Sequence, residues 1–209
     1  MTVRLKVGGV TSPHDAELAV SAGAWGVSVS VAPGRPRFVR ATEARAIFES
    51  IPSEVTKILV FRDQSLETLQ RVLDVIKGVD LVLLGGTESD HPVQSLGGAR
   101  VIKRVVLLDP PTIDVVLGYS AAFLQAEPGS SSSFVDEDAG WESLAAGLAS
   151  RFERTILGGP FTADPESVRS RVLAVRPWAV TVTSAVEVEP GRLDASKLQR
   201  VAEGLASAS

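Results

Sequence analysis

The sequence predicts an α/β protein that folds as one (βα)8 barrel, also called a TIM barrel, over residues 1–209. Short runs of Val, Ile and Leu alternate with helical patterns through eight units, and no long linker interrupts them. Parallel strands joined by helices form a parallel sheet, and eight of them close into a barrel. An open doubly wound sheet is the alternative on pattern alone, but its usual Gly-x-Gly-x-x-Gly turn does not occur in the sequence.

Each predicted strand is a short apolar or alternating run, and each predicted helix has apolar residues at helical spacing. The strands are predicted over 3–8, 25–31, 56–61, 79–86, 99–107, 121–126, 154–159 and 178–186. The helices are predicted over 11–24, 40–51, 65–78, 90–97, 111–119, 141–152, 164–175 and 194–207, the fourth being short and weakly patterned. Ser12 and Asp164 are expected N-caps, because each is followed by a proline at the first helical position. A polar loop is predicted over 127–140.

Composition and charge exclude several classes of function. The chain has no cysteine, which excludes disulfides, thiol catalysis and zinc–thiolate sites. Its net charge is −4 without a basic block, so nucleic-acid binding has no electrostatic support. No apolar run approaches the roughly 18 residues of a membrane span, and no signal-peptide pattern is present. We expect a cytoplasmic monomer or homodimer that binds a small-molecule substrate and uses no cofactor and no metal ion, with no nucleic-acid or membrane partner.

The inward faces of the first, second and last predicted strands are polar. In a (βα)8 barrel the active site lies at the carboxyl ends of the strands, and these three strands are neighbours once the barrel closes. Alternation along each strand therefore predicts one polar wall, made of Lys6, Ser28, Ser30, Thr181 and Thr183. Such a wall is stable only when its members bond to one another or to a ligand.

Five motifs carry a resemblance that extends over nearly the whole chain. They are KVGGVT with the later PRFV, VFRDQSLE, DLVLLGGTE, LGGPFTADPESV, and VTVTSAVE with the following PGRLD. In this order and spacing they resemble the phosphoribosylanthranilate isomerase family of tryptophan biosynthesis. The corresponding family motifs include Lys-Ile-Cys-Gly-Ile-Thr, Val-Gln-Leu-His-Gly and Asp-Val-Ser-Ser-Gly-Val-Glu. The resemblance implies an Amadori rearrangement, in which an aminoaldose opens and becomes an aminoketose.

The resemblance also implies that both of the family's proton carriers are missing. The family's base is a cysteine at the end of strand one, which falls on Gly8. Its acid is an aspartate at the end of strand six, which falls on Ala126. General acid–base catalysis contributes roughly 10²–10⁴-fold, so the loss of both groups leaves little of this route.

Lys6 and Glu127 are the candidate replacements. Lys6 points inward below Gly8, and the aspartate that the family usually has near it is Thr181 here. A buried lysine without a carboxylate partner holds its proton weakly, which makes Lys6 a candidate base or imine former; the alternative is that it pairs elsewhere and has no role. Glu127 follows Ala126 and so faces the opposite side, unless the strand has already ended.

The remaining predicted substrate-binding positions come from the same resemblance. Arg37 matches the arginine that holds the anthranilate carboxylate, although a surface ion pair is an equal alternative. The phosphate-binding loops keep Gly158, Gly159 and Ser184 but have Pro160, which lacks an N–H, and Ala185 in place of a glycine. Asp63 either contacts ligand or caps the third helix. Gly8, Ala126, Thr181 and Thr183 complete the set.

Three functional hypotheses follow from these residues. The main one is a repurposed enzyme that binds a small aromatic or carboxylated metabolite in the barrel mouth and assists an isomerisation or cyclisation in secondary metabolism. The first alternative is a catalytically inactive binding or partner protein that keeps the fold. The second alternative is residual phosphoribosylanthranilate isomerase activity through Lys6 or Glu127.

Overall fold

Eight parallel strands close into a barrel in the computed structural model, which describes residues 2–86, 95–107, 123–128 and 138–208. The strands of the sheet are β1 Arg4–Val7, β2 Ala24–Ser30, β3 Thr56–Phe61, β4 Leu81–Leu84, β5 Ser95–Leu96, β6 Ala99–Leu107, β7 Phe123–Pro128, β8 Thr155–Leu157 and β9 Ala179–Val182. All except β5 belong to the ring, which the parallel pairs β1–β9 and β4–β6 close. The predicted (βα)8 barrel class is confirmed.

Six helices are found in the described ranges. They are α1 Pro13–Ser21, α2 Ala41–Ser50, α3 Leu66–Val75, α4 Asp138–Arg151, α5 Pro165–Val175 and α6 Ala195–Ser207. The two predicted N-caps are confirmed, because Ser12 Oγ accepts from the N–H of Asp15 and Asp164 Oδ2 accepts from that of Ser167. None of the helices in the described part is long and apolar enough to cross a membrane.

Three predicted elements need correction or fall outside the described residues. Residues 95–96 of the fourth predicted helix form β5, antiparallel to β6, because the chain turns back at Gly97-Gly98, both at positive φ. The predicted loop 127–140 is wrong at both ends, since Glu127 and Pro128 belong to β7 and α4 begins at Asp138. Residues 87–94, 129–137 and the fifth predicted helix, 111–119, lie outside the described residues. One domain over 1–209 stays a prediction.

The lower half of the barrel interior is packed with apolar side chains. These floor residues are Ile58, Leu81, Leu83, Ile102, Phe123, Ile156 and Ala179, with Trp25 and Trp178 against them. The two tryptophan rings meet edge to face at 4.7 Å between centroids, a favoured aromatic geometry. The open part of the lumen that can hold a ligand lies above this floor, at the carboxyl ends of the strands.

A short hairpin after β9 is attached to the first βα loop. A 3₁₀ turn at Ser184–Val186 leads into β10 Glu187–Glu189, which pairs with β11 Arg192–Leu193. The buried carboxylate of Asp15 accepts from the N–H of Leu193 at 2.9 Å and from Ser12 Oγ at 2.7 Å. The hairpin carries Glu187, whose carboxylate accepts from Arg37, so Asp15 helps to hold the partner of that arginine.

Replacing Asp15 should therefore destabilise the protein more than replacing an exposed acid on the same helix. Asp15→Ala leaves the buried N–H of Leu193 unpaired, which costs about 1–3 kcal/mol of unfolding free energy. Glu17→Ala is the matched control, because Glu17 is exposed on α1. Urea denaturation of both variants measures the difference. Equal stabilities would show that Asp15 does not anchor the hairpin.

Candidate active site

A cavity of about 780 Å³ opens at the carboxyl ends of the strands. The five side chains of the predicted polar wall all line it, as the alternation predicts. Most of the other predicted site residues line it as well: Gly8, Arg37, Glu127, Gly158, Gly159 and Ser184. Asp63 and Ala126 are not among its lining residues.

A chain of hydrogen bonds crosses the cavity base from Lys6 to Arg104. Lys6 Nζ donates to Gln125 Oε1 at 3.0 Å and to Thr181 Oγ1 at 3.1 Å. The Gln125 amide nitrogen then donates to Glu127 Oε1 at 2.5 Å, and Arg104 Nε donates to Glu127 Oε2 at 2.7 Å. Gln125 is therefore a bridge that joins a buried ammonium to a carboxylate without direct contact between them.

The Lys6 ammonium is held in an unfavourable environment. Its side chain is almost fully buried, and its two hydrogen-bond partners are both uncharged. Burial lowers the pKa of Lys6 from its ordinary value of 10.5 to about 8, while the attraction of the Glu127 carboxylate opposes that change. Lys6 is consequently a stronger acid than an exposed lysine, and at neutral pH it still carries its proton.

The register of β7 reverses the faces expected for Ala126 and Glu127. Ala126 is fully buried in the outer core beneath the helices, so its prediction as a substrate-binding residue is wrong. Gln125 and Glu127 point inward instead, and they do so within the strand, which continues to Pro128. The physical reason is the two-residue period of a strand, in which an error of one position moves a side chain to the opposite face.

Glu127 also lies against the loop that follows β8. A Cβ placed on Gly158 would lie 2.6 Å from Glu127 Cγ, so any larger residue at that position would displace the Glu127 side chain. Glu127 is thus fixed on three sides, by Gln125, Arg104 and the backbone of Gly158. Its carboxylate has a defined position in the cavity even though about a quarter of the side chain is exposed.

Gly8 and Gly9 are required by their surroundings in different ways. A Cβ on Gly8 would lie 2.5 Å from Thr183 Oγ1, so the threonine occupies space that a larger residue would need at this position. Gly9 has a positive φ of 71°, and a Cβ there would collide with the stem of Arg37. Gly8 therefore allows the close approach of Thr183, and Gly9 allows that of Arg37.

Arg37 forms an ion pair inside the mouth of the cavity. Its Nε and Nη2 donate to the two carboxylate oxygens of Glu187 at 2.6 and 2.5 Å. These hydrogen bonds raise the pKa of Arg37 above its ordinary value. Glu187 is buried and also accepts from the N–H of Gly191. Only Nη1 of Arg37 lies outside this bidentate pair.

Asp63 lies in the turn after β3 and is not among the residues that line the cavity. Its backbone has a positive φ of 55°, which turns the chain after β3, and its carboxylate lies 3.6 Å from Arg62 Nε. Asp63 does not cap α3 either, since Ser65 Oγ accepts from the N–H of Thr68. The predicted cap is wrong, the predicted ligand contact of Asp63 stays a prediction, and Arg62 is the residue of this turn that lines the cavity.

The loops expected to bind phosphate are partly equipped for it. The N–H of Gly158 is used by the carbonyl of Ala126, and Pro160 has no N–H. Arg171 donates to the carbonyl of Pro160 at 2.8 Å and brings a guanidinium beside this loop. Ser184 and Ala185 begin the 3₁₀ turn, where backbone N–H groups lack helical partners. The loop after β8 therefore has few free backbone donors but has a guanidinium beside it.

Basic side chains dominate the cavity, and sequence reasoning missed four of them. The lining contains Lys6, Arg35, Arg37, Arg62, Arg104 and Arg171, whereas Glu127 is the one acidic side chain among the described lining residues. Arg104 could have been found from the alternation of β6, which places it on the same face as the floor residue Ile102. Arg62 follows the inward Val60 at the same spacing. A positive cavity in a chain of net charge −4 favours an anionic ligand.

Comparisons with known proteins agree on one family. The family model described as N-(5'phosphoribosyl)anthranilate (PRA) isomerase matches residues 5–204. The N-(5'-phosphoribosyl)anthranilate isomerase of Geobacter sp. (strain M21) is 34% identical over 199 residues, which cover 94% of this chain and 95% of that protein. The crystal structure of phosphoribosyl anthranilate isomerase from Thermus thermophilus matches with a TM-score of 0.83 at 32% identity, covering 98% of this chain and 99% of the other.

A further solved structure is a phosphoribosyl anthranilate isomerase in complex with reduced 1-(o-carboxyphenylamino)-1-deoxyribulose 5-phosphate. It matches with a TM-score of 0.82 at 26% identity and covers 98% of this chain and 99% of the other. The fold and cavity define a (βα)8-barrel protein with a ligand site at the carboxyl ends of its strands. The chain belongs to the N-(5'-phosphoribosyl)anthranilate isomerase family.

In the described part of the chain, no three acidic or histidine side chains form a set that could hold a metal ion.

The lowered pKa of Lys6 predicts how stability changes with pH. Because the folded pKa lies below the unfolded value, the unfolded state binds more protons between pH 8 and 10.5, and stability rises with pH across that window. At 1.36 kcal/mol per pKa unit the gain is roughly 3 kcal/mol. Urea denaturation from pH 7 to 10.5 should show this gain relative to Lys6→Met, which removes the buried charge.

Lys77→Met is the matched control, because Lys77 is exposed. The control should follow the wild type at every pH. A constant stability difference between wild type and Lys6→Met over the whole range would show that the Lys6 ammonium is not destabilised by burial.

Proposed function

We propose that the protein is an aminoaldose–aminoketose isomerase acting on phosphoribosylanthranilate, with Lys6 and Glu127 as its acid–base pair. The observation that carries this proposal is the Lys6–Gln125–Glu127 chain, which presents a proton donor and a carboxylate to one cavity. The comparisons favour this second alternative over the repurposed enzyme, and they give no support to cyclisation or secondary metabolism. Tryptophan biosynthesis is then its pathway, and a cytoplasmic location and a monomer or homodimer remain predictions.

The hydrogen bonds favour Lys6 as the acid and Glu127 as the base. Lys6 Nζ donates both of its bonds, whereas both carboxylate oxygens of Glu127 accept. The ring oxygen of the aminoaldose takes a proton from Lys6 while its bond to C1' breaks, and the nitrogen lone pair forms an iminium group. Glu127 then removes the proton from C2', giving an enol-amine.

Tautomerisation completes the reaction without any change in composition. C1' gains a proton as the enol hydroxyl loses one, which produces the ketose. Glu127 is then protonated and Lys6 is neutral, so a proton must return from Glu127 to Lys6 before the next turnover. These roles place the ring oxygen toward β1 and C2' toward β7, the reverse of the family's arrangement of base and acid.

The charges of the cavity suit the substrate's two anionic groups. The ligand in the related complex carries a carboxyphenyl group and a 5-phosphate. The loops after β8 and β9, with Arg171 beside them, are the proposed phosphate site, while the remaining arginines offer positions for the carboxylate. A cavity of about 780 Å³ is large enough for a ligand of this size.

A second candidate function is favoured by one observation, the side-chain overlap at Gly8. Thr183 Oγ1 occupies the space next to the position of the family's base. A protein that binds a carboxylated metabolite without isomerising it would tolerate this change. Assays for turnover and for binding of the same compound separate the two candidates.

Kinetics of the isomerase reaction test the assigned roles directly. With phosphoribosylanthranilate as substrate, Lys6→Met and Glu127→Gln should each lower kcat by roughly 10²–10⁴-fold. For the wild type, kcat/KM should fall tenfold per pH unit above about pH 8, as Lys6 loses its proton. Lys77→Met should retain the wild-type profile. A rise through pH 8 would make Lys6 the base, and no turnover by the wild type would refute the isomerase proposal.

Restoring the family's base should require two substitutions. Gly8→Cys alone should give little gain, because its Cβ overlaps Thr183 Oγ1. Gly8→Cys with Thr183→Ser should raise kcat/KM by tenfold or more, since serine turns about χ1 more freely than a β-branched threonine. Ala126 is left unchanged, because it faces the helices. Thr183→Ser alone is the control; equal rates for the single and double cysteine variants would show that Thr183 is no obstacle.

A further inference from the structure

Two arginines that transfer no proton in the proposed reaction flank a glycine on one side of the cavity. Arg62 follows β3, Gly85 follows β4, and Arg104 lies on β6; we call these three residues the arginine wall. The N–H of Gly85 donates to the carbonyl of Phe61 at 3.0 Å, which places Gly85 beside the turn that carries Arg62. A Cβ on Gly85 would lie 4.0 Å from Arg104 Cδ, so Arg104 extends in front of the glycine.

The guanidinium groups of the arginine wall have donors left for a ligand. Arg62 Nε is buried and has no hydrogen-bond partner, and the Asp63 carboxylate at 3.6 Å is too far for one. Arg104 uses Nε for Glu127, and none of its hydrogen bonds within the described residues involves the two terminal nitrogens. A guanidinium carries five N–H donors in a planar fork, and a buried donor without a partner is costly.

Gly85, the central residue of the arginine wall, lies across the barrel from the loop after β9, one of the two proposed phosphate loops. In the closed ring β4 is four strands away from β9 in either direction, so Gly85 and Ser184 lie at opposite edges of the mouth. Arg37 is already paired through two of its nitrogens with Glu187. An anion at the end of the ligand distant from its phosphate therefore meets the arginine wall.

The residues directly below the arginine wall are apolar. Val60 and Leu83 are paired in register, each two positions before Arg62 and Gly85, and both line the cavity. This arrangement offers an apolar surface to a flat ring and guanidinium forks to a carboxylate attached to that ring. Guanidinium forks match the planar geometry of carboxylates.

We propose that the arginine wall is the receptor for an aryl carboxylate, and that Arg62 and Arg104 set the specificity of the site for carboxylated substrates. This inference rests on the proposed function for the identity of the whole substrate, but the binding of the aryl carboxylate does not require turnover. The anthranilate end of the substrate then lies over Val60 and Leu83, with its carboxylate between the two guanidinium groups.

Calorimetric titration of the full-length protein with 2-aminobenzoate, and with aniline as the analogue without a carboxylate, tests the arginine wall. Arg62→Met with Arg104→Met should raise the Kd for 2-aminobenzoate by roughly ten- to a hundredfold and leave the weaker aniline binding unchanged. Arg45→Met, on the exposed face of α2, should not change either value. Thermal unfolding shows whether each variant is folded. The double variant Arg62→Lys with Arg104→Lys is a less disruptive test, because it keeps both positive charges and removes only the planar guanidinium forks.

Three results would overturn the proposal: an unchanged Kd in the double variant, a loss confined to Arg37→Met, or no binding of 2-aminobenzoate by the wild type. Failure of the proposed function gives a different result. A wild type that binds 2-aminobenzoate through Arg62 and Arg104 but does not turn over phosphoribosylanthranilate would leave the arginine wall intact and refute the isomerase.

Discussion

The buried ammonium of Lys6 is the constraint on which the rest of the site depends. A charge in the lumen of a barrel, above an apolar floor, is stable only with polar partners on several strands. Thr181 and Gln125 supply them from β9 and β7, and Gln125 in turn orders Glu127. Desolvation of the Lys6 ammonium lowers the stability of the folded protein. The same desolvation makes Lys6 a stronger acid than an exposed lysine.

The glycines of the site leave space that neighbouring residues occupy. At Gly8 the neighbouring Thr183 occupies the space of a Cβ, and at Gly158 Glu127 does so, whereas the atoms nearest a Cβ on Gly85 would be the carbonyl oxygen of Phe61 and Cδ2 of Leu83. At Gly8 and Gly158 the covering side chain is polar or charged and comes from another part of the barrel. The room left by these two glycines is therefore filled by the side chains of neighbouring strands and is not part of the open cavity.

The sequence was sufficient for the barrel and for the polar wall, because both depend on simple periodicity. Alternation in β2 and β9 assigned inward and outward residues correctly, and the caps of α1 and α5 followed from Ser12-Pro13 and Asp164-Pro165. The faces of Ala126 and Glu127 could not be predicted in the same way. They depended on an alignment to a motif of only four residues, in which a shift of one position inverts the result.

Arginines are hard to assign from sequence for a different reason. Their long apolar stems let them line a cavity or reach solvent from the same backbone position, so periodicity does not decide between the two. The structure shows that Arg62 Nε is buried without a hydrogen-bond partner and that Arg104 holds the Glu127 carboxylate through Nε. These two observations indicate that both guanidinium groups have donors left for a ligand. The hydrogen-bond inventory of a guanidinium, which depends on the folded neighbours, was the missing information.

The distribution of charge in the cavity suits a ligand with an anionic group at each end. The chain is acidic overall, yet its cavity is lined mainly by cations, and such a contrast concentrates the field at the mouth of the barrel. Two groups of these cations lie at separate edges of the mouth, Arg171 beside the loop after β8 and the arginine wall beside β4, three strands away by the shorter route around the ring. A ligand with a single anion could satisfy only one edge. A ligand with anions at both ends satisfies both, and it then lies across Lys6 and Glu127, where its central carbons meet the proton donor and the carboxylate.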